Sequence, residues 1–351
     1  MLAKHGGDRG AADAPLQGRE QFAMHKHQLG SQERVLLAGQ LPRGQRVLER
    51  ILSSEAFAEF CVTLVQHSLA ESVTQGGKSL ARGRLGRVFS GLGDDWLRLG
   101  GLKMAVDGGT TSHTAWMFQP FLGETEVRDY NRLNPADLRR YFARGHALGW
   151  DIGIHAIGDR AHHEAAAAFA DVIAAAPPRD HRHNLIHAYF ASEESLQQMA
   201  RHNLAAVIQP TFIYFEGDDL FRDVGEELAH RYKPMRTYLD RGIRVVATSD
   251  IPSTVHFNPM ISLYSLVTRK SHKGTLIAPQ EAVTREEALT AYTVSGPWLT
   301  REEDHKGPLA PGYLADIAVL DRDYFTVPEE EIKDIKVDMT VIDGRVAYTR
   351  T

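Results

Sequence analysis

The stretch Trp150-Asp151-Ile152-Gly153-Ile154-His155-Ala156-Ile157-Gly158-Asp159-Arg160 decides the fold. It begins as a short apolar run, carries a histidine near its end, and leads into the alanine-rich segment Ala165–Ala168, which is typical of a helix. A buried strand that presents one side chain at its carboxyl end and then turns into a helix is the repeating unit of an α/β barrel. One such unit is weak evidence, because a lone histidine at a strand end is more often a satisfied polar residue. The same arrangement, however, recurs downstream.

Apolar runs of strand length alternate with helical patterns through the middle of the chain. The predicted strands are Leu97–Val106, the opening stretch, His183–His187, Leu204–Pro210 and Ile243–Asp250. The predicted helices cover 134–148, 159–175, 192–202 and 232–241, and Asn134 and Pro135 suit the first helix start. Near-continuous apolar strands that alternate with helices indicate a parallel sheet covered on both faces.

Two α/β architectures fit this alternation, a (β/α)8 barrel and a doubly wound sheet. The glycine-containing turn Asp107–Thr111 has neither G-x-G-x-x-G spacing nor a Walker lysine, so a doubly wound nucleotide-binding domain gains little support. We predict three regions: an atypical, partly disordered or helical segment at 1–95, a barrel portion at 96–303, and a small β-rich sandwich piece at 304–351. In the last region Asp343-Gly344 indicates a hairpin turn.

Composition narrows the class of protein. The 351 residues are 43% hydrophobic and 24% charged, as in ordinary globular proteins. A net charge of -5 argues against a nucleic-acid or anionic-membrane partner. No apolar run approaches the roughly 18 residues that span a bilayer. The single cysteine, Cys61, excludes an internal disulfide framework and favours a reducing, cytoplasmic location.

Chemical side chains collect at the predicted strand ends. They are Lys103, Asp107, His155, His183, His187, Gln209, Ser249 and Asp250. Because a barrel gathers the carboxyl ends of its strands at one mouth, these side chains would face a common volume. Neutral imidazoles, a carboxylate and a lysine match a zinc-type hydrolytic site, in which Asp250 would act as general base. His162 and His163 fall in a predicted helix, where we expect them to be solvated.

Six ordered segments resemble the amidohydrolase superfamily, in its YtcJ-like (amidohydrolase-3) branch. They are Leu102–Gly109, His155–Arg160, Arg182–Ala188, Gln209–Thr211, Thr248–Pro252 and Lys306–Asp321. The resemblance covers roughly residues 97–351, and it is specific as a set although no single segment would suffice. It implies a metal-dependent hydrolase on a (β/α)8 barrel.

The resemblance also implies roles for individual residues. Lys103, free or carboxylated, would bridge two metals, His155 and His187 would be ligands of the second metal, and Asp250 would be the carboxylate after strand eight. His183 has no matching role in the family, so we interpret it as structural. The cofactor would be one or two divalent ions, most simply Zn²⁺.

The first half of the family pattern is not recognisable. The family begins with sandwich strands and a barrel strand that ends in His-x-His, whereas His25-Lys26-His27 has the right letters without a buried strand before it. The five predicted strands would be numbers four to eight of an incomplete barrel. A truncated gene product or misassigned start is the explanation we favour. A diverged, helically closed sheet and dimerisation across the open edge are the alternatives.

We therefore expect a hydrolase of a non-peptide C–N bond, with metal-activated water attacking a carbonyl of a small amide-type substrate. Asp107, Gln209, Phe212 and Tyr214 are the predicted substrate-binding residues, the last two in a loop at 211–231 that would form a lid. The alternative is a truncated, catalytically inactive relative that acts as a binding or assembly module.

Overall fold

The computed structural model describes residues 90–91, 100–127, 131–250 and 258–351. All of them belong to the larger of the two units into which the chain divides. The predictions for residues 1–89, including the His25 and His27 pair, lie outside the described residues.

A five-stranded parallel sheet forms the centre of the described structure. Its strands are β1 (Leu102–Ala105), β2 (Ile152–Ala156), β3 (Asn184–His187), β4 (Ala205–Ile208) and β5 (Val245–Ala247), and each pairs with the next in chain order. The five predicted strands and the α/β class are confirmed, although the strands are shorter than predicted. In the described part of the chain β1 and β5 remain edges, so these residues form a sheet and not a closed barrel.

The strand order runs without reversal. A doubly wound sheet reverses its order at a switch point, where its ligand binds. The sequential order β1 to β5 is instead the order of neighbouring strands in a barrel wall.

Helices connect the strands and cover the sheet. They are α1 (Pro135–Ala147), α2 (Asp159–Ala175), α3 (Glu193–Arg201), α4 (Thr211–Ala229) and α5 (Met235–Asp240). The side chain of Asn134 accepts a hydrogen bond from Asp137 N, which confirms the predicted cap of α1. The prediction of a loop at 211–231 is wrong, because this segment is helix α4 with a kink at Gly225, where φ is 78°.

One face of the sheet packs against α1 and α2. Ile154, Leu185 and Ala206 stand in register on adjacent strands and are fully buried. The rings of Phe142 on α1 and Phe169 on α2 stack with centroids 4.1 Å apart in the same core. The other face, toward which His155 points, is therefore left for the site.

The last hundred residues add helices and a second sheet. The helices are α6 (Pro259–Thr268), α7 (Arg285–Thr293) and α8 (Ser295–Thr300), and the antiparallel sheet comprises β6 (Ile317–Leu320), β7 (Val337–Ile342) and β8 (Arg345–Thr349). The hairpin at Asp343-Gly344 is confirmed. These strands form a single sheet, and no second layer facing it is present among the described strands. None of the described helices is both long and apolar enough to cross a bilayer.

We predict that Gly158→Ala lowers the free energy of unfolding by about 3 kcal/mol, because overpacking of a rigid backbone contact is costly. A Cβ at Gly158 would lie 2.0 Å from the carbonyl oxygen of Trp116, so the backbone must shift. Gly296→Ala is the matched control, since a Cβ there meets nothing within 4 Å. Urea unfolding measures both, and equal stabilities would contradict the prediction.

Candidate metal and active site

The sheet carries a cavity of about 290 Å³ at the carboxyl ends of its strands. Its lining contains all four residues predicted as metal ligands, Lys103, His155, His187 and Asp250. The other lining residues are Gly109, Thr110, Thr111, Ile157, Tyr189, Phe212 and Glu216. Side chains that are distant in sequence therefore share one concave site, which is how ligand pockets of α/β proteins are built.

The ring of His155 is oriented by the loop after β1. Its Nε2 lies 2.8 Å from the carbonyl oxygen of Gly108, which can only accept, so Nε2 carries the proton. Nδ1 then carries the lone pair of the ring. Burial lowers the pKa of His155 to about 4, with the Gly108 hydrogen bond opposing and the charge of Lys103 assisting. At neutral pH the ring is the neutral imidazole that a metal requires.

His187 reaches the cavity through an unusual backbone conformation. Its register partner is Ala156, so regular strand alternation would place it on the face opposite His155. A φ of 74° at His187 and of 47° at Ala188 breaks the pleat, and the two histidine rings lie with centroids 4.3 Å apart. Left-handed backbone at non-glycine residues is costly and concentrates at functional sites.

The imidazole of His187 is buried and holds a free donor or acceptor atom. Its Nδ1 has no hydrogen-bond partner among the described residues. Burial lowers its pKa well below the usual histidine value. The charges of His155, Lys233 and Lys103 add to this effect, and a hydrogen bond with Gln209 opposes it. A buried polar atom without a partner calls for an explanation, and an ion is one.

Lys103 and Asp250 are the other two predicted metal ligands, and both line the cavity with the histidines. Desolvation lowers the pKa of Lys103, and the carboxylate of Asp250 opposes that effect. Burial raises the pKa of Asp250, opposed by Lys103 and Lys233. Asp250 also has a left-handed backbone, with a φ of 54°.

The side chains at the cavity are of the types that bind a divalent ion. The described residues, however, do not form a complete coordination site. Two neutral imidazoles and a carboxylate are typical ligands of zinc and its neighbours. Within the described ranges, no group of three or more His, Cys, Asp or Glu side chains is arranged closely enough to hold an ion. Further donors must therefore come from Lys103, from movement of Asp250, or from other residues.

Asp107 does not line the cavity. Its side chain is fully buried, and its oxygens accept hydrogen bonds from the backbone N–H groups of Trp116, Ile157 and Gly158, at 2.9, 3.1 and 2.8 Å. Burial raises its pKa to about 7, with the three N–H donors opposing. Asp107 thus ties the loop after β1 to the end of β2, and its Oδ1 lies 3.5 Å from His155 Nε2.

Of the other predicted substrate-binding residues, only Phe212 lines the cavity. Gln209 is buried, and its Oε1 has no hydrogen-bond partner among the described residues. Tyr214 is partly buried in the adjoining core, with its ring centroid 6.0 Å from that of Tyr264. The substrate roles of Asp107, Gln209 and Tyr214 stay predictions.

Sequence reasoning missed Glu216 and Tyr189 in the cavity wall. Glu216 follows Phe212 by four residues, so both occupy the same face of α4. The four-residue spacing of Phe212 and Glu216 is visible in the sequence, but it places both residues on one face only if the segment is helical. Tyr189 lies just beyond the left-handed pair His187 and Ala188, where strand alternation gives no guide.

A second histidine cluster lies at the opposite end of the sheet. Ile152 N donates to His183 Nδ1 at 3.0 Å, and His183 Nε2 lies 2.8 Å from His146 Nδ1, so His183 is neutral with its proton on Nε2. The ring of His181 stacks on His183 with centroids 4.4 Å apart. These contacts support a structural role for His183.

The expectation that His162 is solvated is wrong. Its side chain is fully buried, with Nδ1 3.0 Å from Ser195 Oγ and Nε2 3.2 Å from the hydroxyl of Tyr238. His163, its neighbour on α2, is only partly buried. These bonds could not be predicted from the sequence, because both partners of His162 come from other helices whose packing the sequence does not reveal.

Stability should fall as the pH is lowered from about 6.5 to 4, because buried neutral histidines resist protonation. Burial lowers the pKa of His183 to about 2 and of His181 to about 4, from an ordinary 6.5. Below pH 6.5 the unfolded chain takes up protons that the folded chain does not, so each such histidine costs up to about 1.4 kcal/mol per pH unit. Urea unfolding at pH 7.5, 6.5, 5.5 and 4.5 is the measurement.

The control isolates the cluster from other acid effects. His183→Gln should flatten this pH dependence, whereas His230→Gln, at an exposed site, should leave it as in the parent. Identical slopes in the two variants would contradict the assignment.

The sequence of this protein matches that of a known protein family. A sequence model of the amidohydrolase family (Amidohydro_3) matches residues 34–348. Because that match covers most of the chain, the protein belongs to the amidohydrolase family.

Particular relatives refine the comparison. The chain is 26% identical over 264 residues to the putative amidohydrolase YtcJ of Bacillus subtilis (strain 168), covering 74% of this chain and 49% of that protein. It is 28% identical over 222 residues to an N-substituted formamide deformylase of Arthrobacter pascens, covering 63% and 41%. The resemblance inferred from the motifs is confirmed. The chain spans about half the length of the curated relatives it matches.

Solved structures with this fold include two uncharacterized metal-dependent hydrolases. The one from Pyrococcus horikoshii has a TM-score of 0.61 at 24% identity, covering 68% of this chain and 48% of that one. The one from Pyrococcus furiosus has a TM-score of 0.56 at 28% identity, covering 67% and 47%.

Proposed function

We propose that this protein is a metal-dependent hydrolase of a non-peptide C–N bond in a small amide-type substrate. The observation that carries the proposal is the convergence of Lys103, His155, His187 and Asp250 on one cavity, from β1, β2, β3 and the segment after β5. Membership of the amidohydrolase family supports hydrolysis. The metal-dependent hydrolases of similar fold support a divalent ion, and the formamide deformylase supports an amide-type bond.

We further propose that the five parallel strands are part of a (β/α)8 barrel. Their strictly sequential order and the placement of the cavity at their carboxyl ends support this architecture.

His155 and His187 would hold the ion, Lys103 and Asp250 being the other protein groups at the same cavity. A divalent ion at this position supplies carbonyl polarisation and a lowered pKa for water, which is the usual contribution of zinc-type sites. Gly108 fixes the tautomer of His155 and leaves Nδ1 as the donor atom. Such orientation by a backbone carbonyl is a common support for histidine ligands.

Asp250 is the proposed general base. Burial raises the pKa of its carboxyl, which brings the group closer to the range where it accepts a proton from water and later returns it to the departing amine. Lys103 and Lys233 oppose that rise and favour the ionised carboxylate.

Elemental analysis of the purified chain, followed by hydrolysis assays with N-formyl and N-acetyl amines, tests the proposal. We expect bound zinc, nickel or manganese, with activity that a chelator removes and added metal restores. A folded, monodisperse chain that binds no metal after incubation with each ion would overturn it. No observation on the described residues favours the alternative of an inactive binding module.

A further inference from the structure

Lys233 is a buried amine that the proposed reaction does not use. The residue is fully buried, and its Nζ lies 3.6 Å from the ring centroid of Tyr189 and 5.2 Å from those of Phe212 and Tyr232. Nζ has no hydrogen-bond partner among the described residues. Burying an amine in this way costs several kcal/mol unless other groups offset it, so the fold retains Lys233 against an energetic penalty.

The backbone holds Lys233 in place from several directions. Its φ is 47°, a left-handed conformation that a lysine rarely adopts. Its N–H donates to the carbonyl of Tyr189 at 2.8 Å, and the buried guanidinium of Arg269 donates to the carbonyls of Tyr232 and Lys233 at 2.7 and 3.3 Å. A strained residue held by this many bonds is typical of a functional position.

Glu216 is the group that Lys233 acts on most. Of the charges acting on the amine, that of Glu216 is the largest, and Lys233 is the largest charge acting on the carboxyl of Glu216. Glu216 lines the cavity, and no described residue donates a hydrogen bond to its carboxylate. Its oxygens are therefore available to a molecule in the cavity.

The positions of Glu216 and Lys233 relative to the cavity indicate which of the two side chains a ligand would contact. Tyr189, Phe212 and Glu216 form the cavity wall, whereas Lys233 stands behind the two aromatic rings and does not line the cavity. Lys103 and Asp250 have opposite charges at the strand side. The acceptor that α4 presents to a ligand is thus the Glu216 carboxyl group, with the Lys233 amine behind the wall. Burial lowers the pKa of that amine well below the usual lysine value, and the charge of Glu216 opposes this effect.

We propose that Glu216 is a substrate-binding residue that accepts a hydrogen bond from an amine or amide N–H remote from the scissile bond, and that Lys233, packed behind the Tyr189 and Phe212 rings of the same wall, is a positioning residue for it. The inference rests on the proposed hydrolase function and specifies its substrate class, amides that carry a second, N–H-bearing nitrogen. A site built to accept a hydrogen bond rejects the hydrocarbon analogue strongly, because its acceptor is otherwise left unpaired.

Calorimetric binding to the metal-loaded protein tests this inference separately from turnover. The probes are N-acetyl-1,4-diaminobutane, its hydrocarbon isostere N-pentylacetamide, and the carboxylate 5-acetamidopentanoate. We expect the amine to bind at least about tenfold more tightly than the isostere, and we expect Glu216→Gln, which keeps the size of the side chain, to reduce that preference to below about threefold. Hydrolysis of the same probes reports on the proposed function, and absent turnover with selective binding would sink that function alone.

Lys233→Met separates positioning from packing. Without the Lys233 amine, nothing opposes burial and the charge of Asp223 in raising the pKa of Glu216. Amine binding should therefore be lost at a higher pH, as the pH falls, than in the parent protein. A purely structural lysine would lower stability without moving this pH profile. If Lys233→Met does not fold, Glu216→Gln still decides the main point. Equal binding of amine and isostere, tighter binding of the carboxylate, or binding of none of the probes would overturn the inference.

Discussion

His187→Ala should remove bound metal and lower kcat/KM at least about a thousandfold, which corresponds to about 4 kcal/mol of transition-state stabilisation. The reason is that His187 lines the cavity, its Nδ1 has no hydrogen-bond partner among the described residues, and its ring centroid lies 4.3 Å from that of His155. Alanine removes that donor and leaves a void that other side chains cannot fill with a ligand atom. Elemental analysis and an amidase assay on the same preparation measure the two effects.

The matched control for this variant is His163→Ala, a histidine on α2 that is only partly buried and lies outside the cavity lining. It should retain the parent's metal content and rate. If His187→Ala kept full metal content while remaining folded, the ion would be held elsewhere, and the assignment of this cavity as the metal site would fail.

Asp107→Ala should lower the free energy of unfolding by about 4 kcal/mol, because three buried backbone N–H groups lose their acceptor at once. These are the N–H groups of Trp116, Ile157 and Gly158, and water does not reach them at this fully buried site. Asp107→Asn should lie between alanine and the parent, since an amide can accept through one oxygen only. Urea unfolding at pH 7 measures all three proteins.

Asp171→Ala is the control for a carboxylate with ordinary surface contacts. Asp171 is 60% exposed and pairs with Arg139 at 2.6 Å, so its loss should change stability by less than about 1 kcal/mol. A similar loss in both aspartate variants would show that the backbone bonds to Asp107 contribute little.

The sheet was predictable because several of its strands, β4 and β5 above all, are buried on both faces. Runs such as Leu204–Ile208 are apolar without interruption, and that pattern does not depend on what packs against them. Helix starts were predictable for a similar reason, since the caps at Asn134 and Thr284 are local interactions within four residues. The segment after β4 was not predictable in this way, because its aromatic residues suited both a lid and a helix.

The four proposed ligands could be proposed from the sequence because each lies in, or shortly after, an apolar strand and within a recognisable motif. Glu216 and Lys233 follow no strand end, and their meaning comes from a packing arrangement between α4 and the turn before α5. His162 was misjudged for the same reason, since its partners Ser195 and Tyr238 come from two other helices. Local pattern identifies what a single element presents, whereas contacts between elements require the tertiary structure.

The left-handed backbone at His187 and Ala188 has a consequence for how this site can change over evolutionary time. The backbone conformation, and not a long flexible side chain, directs residue 187 toward His155. The position of the Cβ atom at residue 187 therefore does not depend on which side chain is present. An aspartate or a cysteine at this position would project from the same place. Single substitutions could therefore shift the preference among metals through donor chemistry while the location of the centre is conserved by the polypeptide itself.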